Sequence, residues 1–380
     1  MLELPPLSLY VHIPWCVRKC PYCDFNSHEP GGAIPEESYI EALMADLHTE
    51  LDDVQGRPLH TLFFGGGTPS LLSPAGIAAI LAGAERLIGF TPDIEITLEA
   101  NPGTVEQERF AGFRAAGVNR LSIGIQSFDN RHLQRLGRIH DRAAAIAAVR
   151  AARAAGFDNI NLDLMHGLPG QTPGEALADL HLACDLDPAH LSWYQLTIEP
   201  NTVFHKRPPT LPDEDVLAAI QDAGEAQLIG AGFGPYEVSA WARPGRESRH
   251  NLNYWRFGDY LGIGAGAHGK VTRPGEGAIL RTSKTRAPAD YLARDGDWRA
   301  GRQPVTAPER PFEFMMNALR LVEGVEPALY PARTGLDFAT LAPRWRTLRD
   351  RGLVSDAAER LATTPLGLRH LNSVLATLGD

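Results

Sequence analysis

Short apolar, β-favouring runs alternate with amphipathic stretches from the N-terminus to about residue 200. The runs occupy residues 7–13, 60–64, 94–99, 120–125, 160–164 and 191–196, each bounded by turn-forming residues as strands are. Between them, residues 36–51, 74–88, 105–116, 141–155 and 173–186 place their apolar side chains at helical spacing. Ser73-Pro74 and Thr172-Pro173 read as a cap followed by a first-turn proline, and Gly117 and Gly156 follow helix ends. Six β-then-α repeats predict a parallel sheet wound with right-handed crossovers. The stretch is too short for eight repeats, so the expected fold is α/β, a partial (β/α)6 barrel.

Chemistry in such folds gathers at the carboxyl ends of the strands. Here those ends read Pro14-Trp15-Cys16, Gly65-Gly66-Gly67-Thr68-Pro69, Glu99-Ala100-Asn101-Pro102, Gln126-Ser127, Asp163 with Gly167-Leu168-Pro169-Gly170, and Thr197-Ile198-Glu199-Pro200. Turn formation explains any one of them alone; six converging on one rim argue for a ligand site.

Residues from about 200 to 300 are punctuated by proline and glycine and read as an extension of the sheet. From about residue 305 the pattern is helical, with segments 352–354 and 360–362 suggesting a small hairpin and a winged-helix-like, mainly α domain. That segment has nine arginines, no lysine and nine acids. The balance is zero, which favours packing or gating over DNA binding. The expected division is 1–240 for the barrel core, 241–304 for the extension and connection, and 305–380 for the C-terminal domain.

The whole chain, with 36 basic and 46 acidic residues among 380, has a formal charge of −10. Nucleic acid is therefore a poor partner, since phosphate binding needs clustered positive charge. No stretch approaches the roughly 18 to 20 apolar residues of a bilayer-spanning helix. The opening MLELPPLSLYVHIPWC has no basic segment ahead of an apolar block, so a cytoplasmic protein is expected.

Three of the four cysteines fall within eight positions, Cys16, Cys20 and Cys23. The spacing does not match a two-plus-two zinc site, and a disulfide would leave an odd thiol. A CxxxCxxC loop directly after the first strand suits a [4Fe-4S] cluster held at three irons, with the fourth iron open to a ligand. Cys184 lies on one helical face with Leu177 and Leu180 and reads as core. Gly264, Gly266 and Gly269 match GxGxxG, but KVTRPGEG follows where a pyrophosphate-binding helix would have to begin.

The cysteine spacing and its position resemble the radical S-adenosylmethionine (SAM) superfamily. In that superfamily the open iron binds the amino and carboxylate groups of SAM, and one-electron reduction cleaves it to a deoxyadenosyl radical. YVHIPWCVRKCPYCDF, FFGGGTPS, EANP, GIQSF, LGRIH, NLDLMHGLPGQ and YLGIGAGAHG together resemble the branch that contains oxygen-independent coproporphyrinogen dehydrogenase and the HemW haem chaperones. The resemblance implies cluster ligation by Cys16, Cys20 and Cys23. It implies SAM contacts at Tyr10, Tyr22, Gly66, Gly67, Thr68, Glu99, Gln126, Arg138, Asp163 and Ala267. Glu99 and Asp163 are suited to ribose hydroxyls, and Arg138 to the SAM carboxylate.

One departure separates the two subfamilies. The dehydrogenases continue as CxxxCxxCxC, whereas Phe25 stands here in place of the last cysteine. Cys-Asp-Phe and the segment His250-Asn251-Leu252-Asn253-Tyr254-Trp255 resemble HemW, in which the HNxxYW segment is associated with haem. The resemblance makes His250 the haem-binding candidate, with Tyr254 and Trp255 packing on the macrocycle. The expectation is a haem chaperone, with a [4Fe-4S] cluster, SAM and haem, that delivers haem to acceptor haemoproteins such as respiratory enzymes. The alternative is radical oxidative decarboxylation of coproporphyrinogen III.

Overall fold

The first apolar run forms β1, Leu7–Ile13, buried at every position but Tyr10. In the computed structural model, which describes residues 1–379, β1 lies inside a twelve-stranded sheet. The strands β2 (Leu59–Gly66), β3 (Phe90–Ala100), β4 (Arg120–Gln126), β5 (Ile160–His166) and β6 (His190–Gln195) follow. Each pairs parallel to the one before it, in chain order. Their near-continuous burial is what a parallel strand covered on both faces requires. The outer face is covered by helices Glu36–Thr49, Pro74–Leu87, Thr104–Ala116, Arg142–Ala154 and Pro173–Asp185, and Glu214–Gly230 packs on the last of these. Ser73 caps its helix through Gly76 N–H, and Thr172 forms a reciprocal capping box with Glu175. The partial barrel expected from the sequence is the architecture observed.

The extension grows from both edges of this sheet. β7 (Gly234–Glu237) and β8 (Ala240–Ala242) add antiparallel strands beyond β6. At the other edge β9 (Asp259–Ile263) joins parallel to β1, and β10 (His268–Arg273), β11 (Ala278–Lys284) and β12 (Arg299–Pro304) continue antiparallel. Buried ion pairs hold this edge: Lys284 lies between Asp46 and Glu50, and Asp259 accepts from Lys270 and Arg57.

The C-terminal segment has its own core around Phe314, Met315, Tyr330, Trp345 and Leu348, to which Leu2 and Phe257 contribute. The small hairpin expected from segments 352–354 and 360–362 closes on one antiparallel bridge, Val354 to Thr363, and a second bridge ties Leu361 to Val325 outside it. The final residue of the expected third domain, Asp380, lies outside the described residues. Cys184 is also corrected: it is half-buried, packed against the edge of the main core rather than within it. Among the described residues, no helix is long and apolar enough to cross a membrane.

Candidate functional site

The loop after β1 folds back on itself. Cys16 N–H donates to His28 C=O and His28 N–H to Pro14 C=O, while a turn brings Cys23 N–H onto Cys20 C=O. All three thiols are free and half-buried. A polar side chain stands beside each sulfur: Thr68 Oγ1 at 3.5 Å from Cys16 Sγ, Arg138 Nη1 at 3.6 Å from Cys20 Sγ, and Ser27 Oγ at 3.9 Å from Cys23 Sγ. Burial pushes the Cys16 and Cys23 thiols up, so the thiolates a metal needs form as it binds. Three half-buried thiols on one loop, with a hydroxyl or guanidinium beside each sulfur, fit a polynuclear iron-sulfur cluster held at three irons.

Two glycine loops buttress the thiols. Gly67 and Thr68 donate backbone N–H to Ile13 and Trp15 carbonyls. A Cβ at Gly67 would stand 2.5 Å from the Trp15 carbonyl oxygen, so only glycine permits this approach. The Gly264–Gly266 turn leads into β10 rather than a helix. Its Ala265 carbonyl accepts from Asn26 of the thiol loop, whose own carbonyl accepts from His12 Nε2. Ala267 is buried behind this turn, its N–H on Gly264 C=O.

The acids and amides expected at the rim do converge. Glu99 accepts from Gly66 N–H at 3.2 Å; burial, then the charge of nearby Asp163, raises its carboxyl to about 8. Burial likewise raises Asp163, which accepts from Ser122 and Asn161. Gln126 has a φ of +68°, uncommon for a side-chain-bearing residue, and accepts from Tyr194 at 2.8 Å. The Tyr10 hydroxyl donates to His12 Nδ1 at 3.0 Å, since Nε2 carries the ring proton toward Asn26 C=O. Tyr22 packs toward Phe204, and burial raises its phenol. Arg138 does not face the open rim with its whole fork: it donates to Cys20 Sγ, Asn101 Oδ1 and Gly124 C=O, leaving Nε without a partner. Asn101 also donates to Thr68, joining two thiol neighbours. His12 and Tyr194 were not singled out from sequence, and Asn101 only as part of the strand end Glu99-Ala100-Asn101-Pro102; the visible signal of the first two was polarity within an apolar strand.

His250 lies apart from this rim. Its short helix, Arg249–Trp255, is capped by Ser248 and by Glu95, whose two carboxylate oxygens accept from Arg249 and His250 N–H. The ring is buried and stacks on Phe63 at 5.0 Å. Thr61 donates to Ser8, so His250 Nδ1–H donates to Thr61 at 2.7 Å, and the Nε2 lone pair takes the Tyr254 hydroxyl at 3.0 Å. Burial lowers the imidazole to about 3, which keeps it neutral. Both nitrogens are occupied, and iron would reach Nε2 only by replacing Tyr254.

Six parallel βα units, a three-thiol loop after the first strand, and an acid- and glycine-lined rim define a radical SAM protein. The Radical SAM superfamily profile matches residues 10–183, and the HemN C-terminal domain profile matches residues 305–370. A [4Fe-4S] cluster and SAM are accordingly its cofactors. The chain is 51% identical over 375 residues to the heme chaperone HemW of Escherichia coli (strain K12), covering 99% of this chain and 98% of that protein. Identity to HemW of Haemophilus influenzae is 52%, over 99% and 98% of the two chains. The chain belongs to the HemW family. Among solved structures, coproporphyrinogen III oxidase HemN of Escherichia coli shares the fold with a TM-score of 0.84 at 24% identity, covering 99% of this chain and 91% of that one.

Proposed function

We propose that this protein is a haem chaperone of the cytoplasm, which binds haem and passes it to acceptor haemoproteins. One observation carries the reading: relatives that match it end to end are named for haem chaperoning. Phe25, exposed at 60%, stands where the porphyrinogen-oxidising subfamily would have another cysteine, and it counts against the enzymatic alternative.

In this reading Cys16, Cys20 and Cys23 hold the cluster, while Thr68, Arg138 and Ser27 ease the charge on their sulfurs. When bound, the cluster supplies an iron site for the amino acid end of SAM and a source of single electrons. Gly66, Gly67 and Ala267 let backbone approach the ligand. Glu99 and Asp163 face its ribose, with Tyr10, Tyr22, Thr68 and Gln126 completing the pocket. His250 contributes the haem nitrogen: its tautomer is set by Thr61, and its neutral Nε2 is the form that ligates iron. The division into 1–240, 241–304 and 305–380 belongs to the same proposal and is supported by the separate core around Phe314 and Trp345.

Haem titration of purified, cluster-loaded protein tests the reading, with saturable uptake expected. An anaerobic assay with reductant, SAM and coproporphyrinogen III tests the alternative. Protoporphyrinogen formed with turnover would replace chaperoning by catalysis.

A further inference from the structure

At the amino ends of β1 and β2, away from the thiol loop, a cavity of about 220 Å³ opens between the His250 helix and the C-terminal domain. Its walls bring together Arg249, Arg256, Arg333 and His60, with Thr61 and Asn253 beneath them. Among the described residues no acidic side chain lines it. Arg249 is paired with Asp93 at 3.1 Å. Arg256 and Arg333 make no side-chain hydrogen bond or ion pair among the described residues, and Arg333 Nε is buried without a partner.

The acids nearest Arg333, Asp259 and Glu3, raise its guanidinium by their charge, but neither hydrogen-bonds to it. Asp259 is already held by Arg57, Lys270 and Thr272 at 2.8–2.9 Å. Desolvation lowers the Arg333 guanidinium from its ordinary value. A half-buried charge kept without a partner costs folding free energy, so it is best explained by an oxyanion that arrives later. The guanidinium fork matches carboxylate or phosphate two bonds at a time.

We propose that this basic cleft holds the propionate carboxylates of haem, so that the C-terminal domain, through Arg333, takes part in holding the porphyrin. The assignment rests on the haem-chaperone reading. Thr61 links the cleft to the haem candidate, since it lines the cavity and also accepts from His250 Nδ1–H. The cavity takes a carboxylate arm rather than a macrocycle. Across the same helix a cavity of about 230 Å³, lined by Tyr254, Trp255 and Tyr260 together with Lys270 and Arg281, shares Gly258 with the cleft and offers aromatic surface nearby.

The test titrates haem and haem dimethyl ester, which has no free carboxylates, into the full-length, cluster-loaded protein and its Arg256→Gln and Arg333→Gln variants. Each variant should bind haem roughly tenfold more weakly, the loss of one charge-assisted contact, while the ester binds all forms alike. Unchanged ester binding also reports that the variants are folded, and Arg256 is exposed, so its replacement leaves packing intact. If both variants keep the original preference for haem over ester, the cleft assignment is overturned and the chaperone reading stands. If neither haem nor ester binds the unaltered protein, the chaperone reading itself falls and takes the assignment with it. A parallel titration with inorganic phosphate separates the ligand sources. Arginine-dependent phosphate binding with arginine-independent haem binding would reassign the cleft to a free anion and overturn the proposal.

Discussion

Replacing Glu99 with Gln should stabilise the cofactor-free protein, and the gain should depend on pH. Glu99 has an ordinary carboxyl value of 4.5, raised to about 8 by burial and by Asp163. A raised acid is neutral in the folded chain while the unfolded chain ionises above 4.5, so stability falls as pH rises from 4.5 to 8 and is unaffected below that window. At pH 7 the gap of 2.5 units, at 1.36 kcal/mol each, sets a ceiling of about 3 kcal/mol. Glu99 is partly open to the rim, and solvent screens some of this, leaving roughly 1–3 kcal/mol. Glutamine keeps the oxygen that accepts from Gly66 N–H but cannot ionise. Urea denaturation of Glu99→Gln and the unaltered chain at pH 5, 7 and 8 measures the difference, which should grow from near zero. The variant should meanwhile bind SAM more weakly, because glutamine offers the ribose hydroxyls one accepting oxygen where an ionised Glu99 offers two. A difference that is flat with pH, or a variant destabilised throughout, would refute the reasoning.

Gly66→Ala should destabilise the protein by roughly 2 kcal/mol or more and abolish SAM binding, because φ is +110° and the new Cβ would enter the His12 ring; calorimetry and a SAM titration measure both. Replacing any one of Cys16, Cys20 or Cys23 should remove the ~400 nm absorbance of thiolate-bound iron. Cys184→Ser should keep full iron content by elemental analysis, and iron loss there would identify a missed ligand. Lys284→Met, which leaves Asp46 and Glu50 buried without their shared cation, should cost about 3–5 kcal/mol in urea denaturation.

The barrel was legible because its strands are buried on both faces and read as unbroken apolar runs. β9 was not: its first residue is Asp259, and nothing local reveals that Lys270 and Arg57 cancel that charge in the core. The hairpin near residue 355 is present only in minimal form, one antiparallel bridge from Val354 to Thr363 flanked by backbone hydrogen bonds from Ser355 to Ala362 and from Thr364 to Leu353. At the site, the cysteine spacing and glycine runs announced themselves because each is a local pattern. Arg138 was named from its motif with the wrong partner, because Cys20 and Asn101 come from other loops and draw its fork onto the thiols. For His250 the motif was local but its setting was not. Glu95 caps its helix from 155 positions away, and Thr61 fixes its tautomer from 189.

Haem delivery is tested most directly by mixing haem-loaded protein with an apo-haemoprotein and following the acceptor's Soret band. Transfer should be stoichiometric and faster than from haem bound to serum albumin, and His250→Ala should lose both loading and transfer. Acceptor filling no faster than from albumin, and unchanged by His250→Ala, would contradict it.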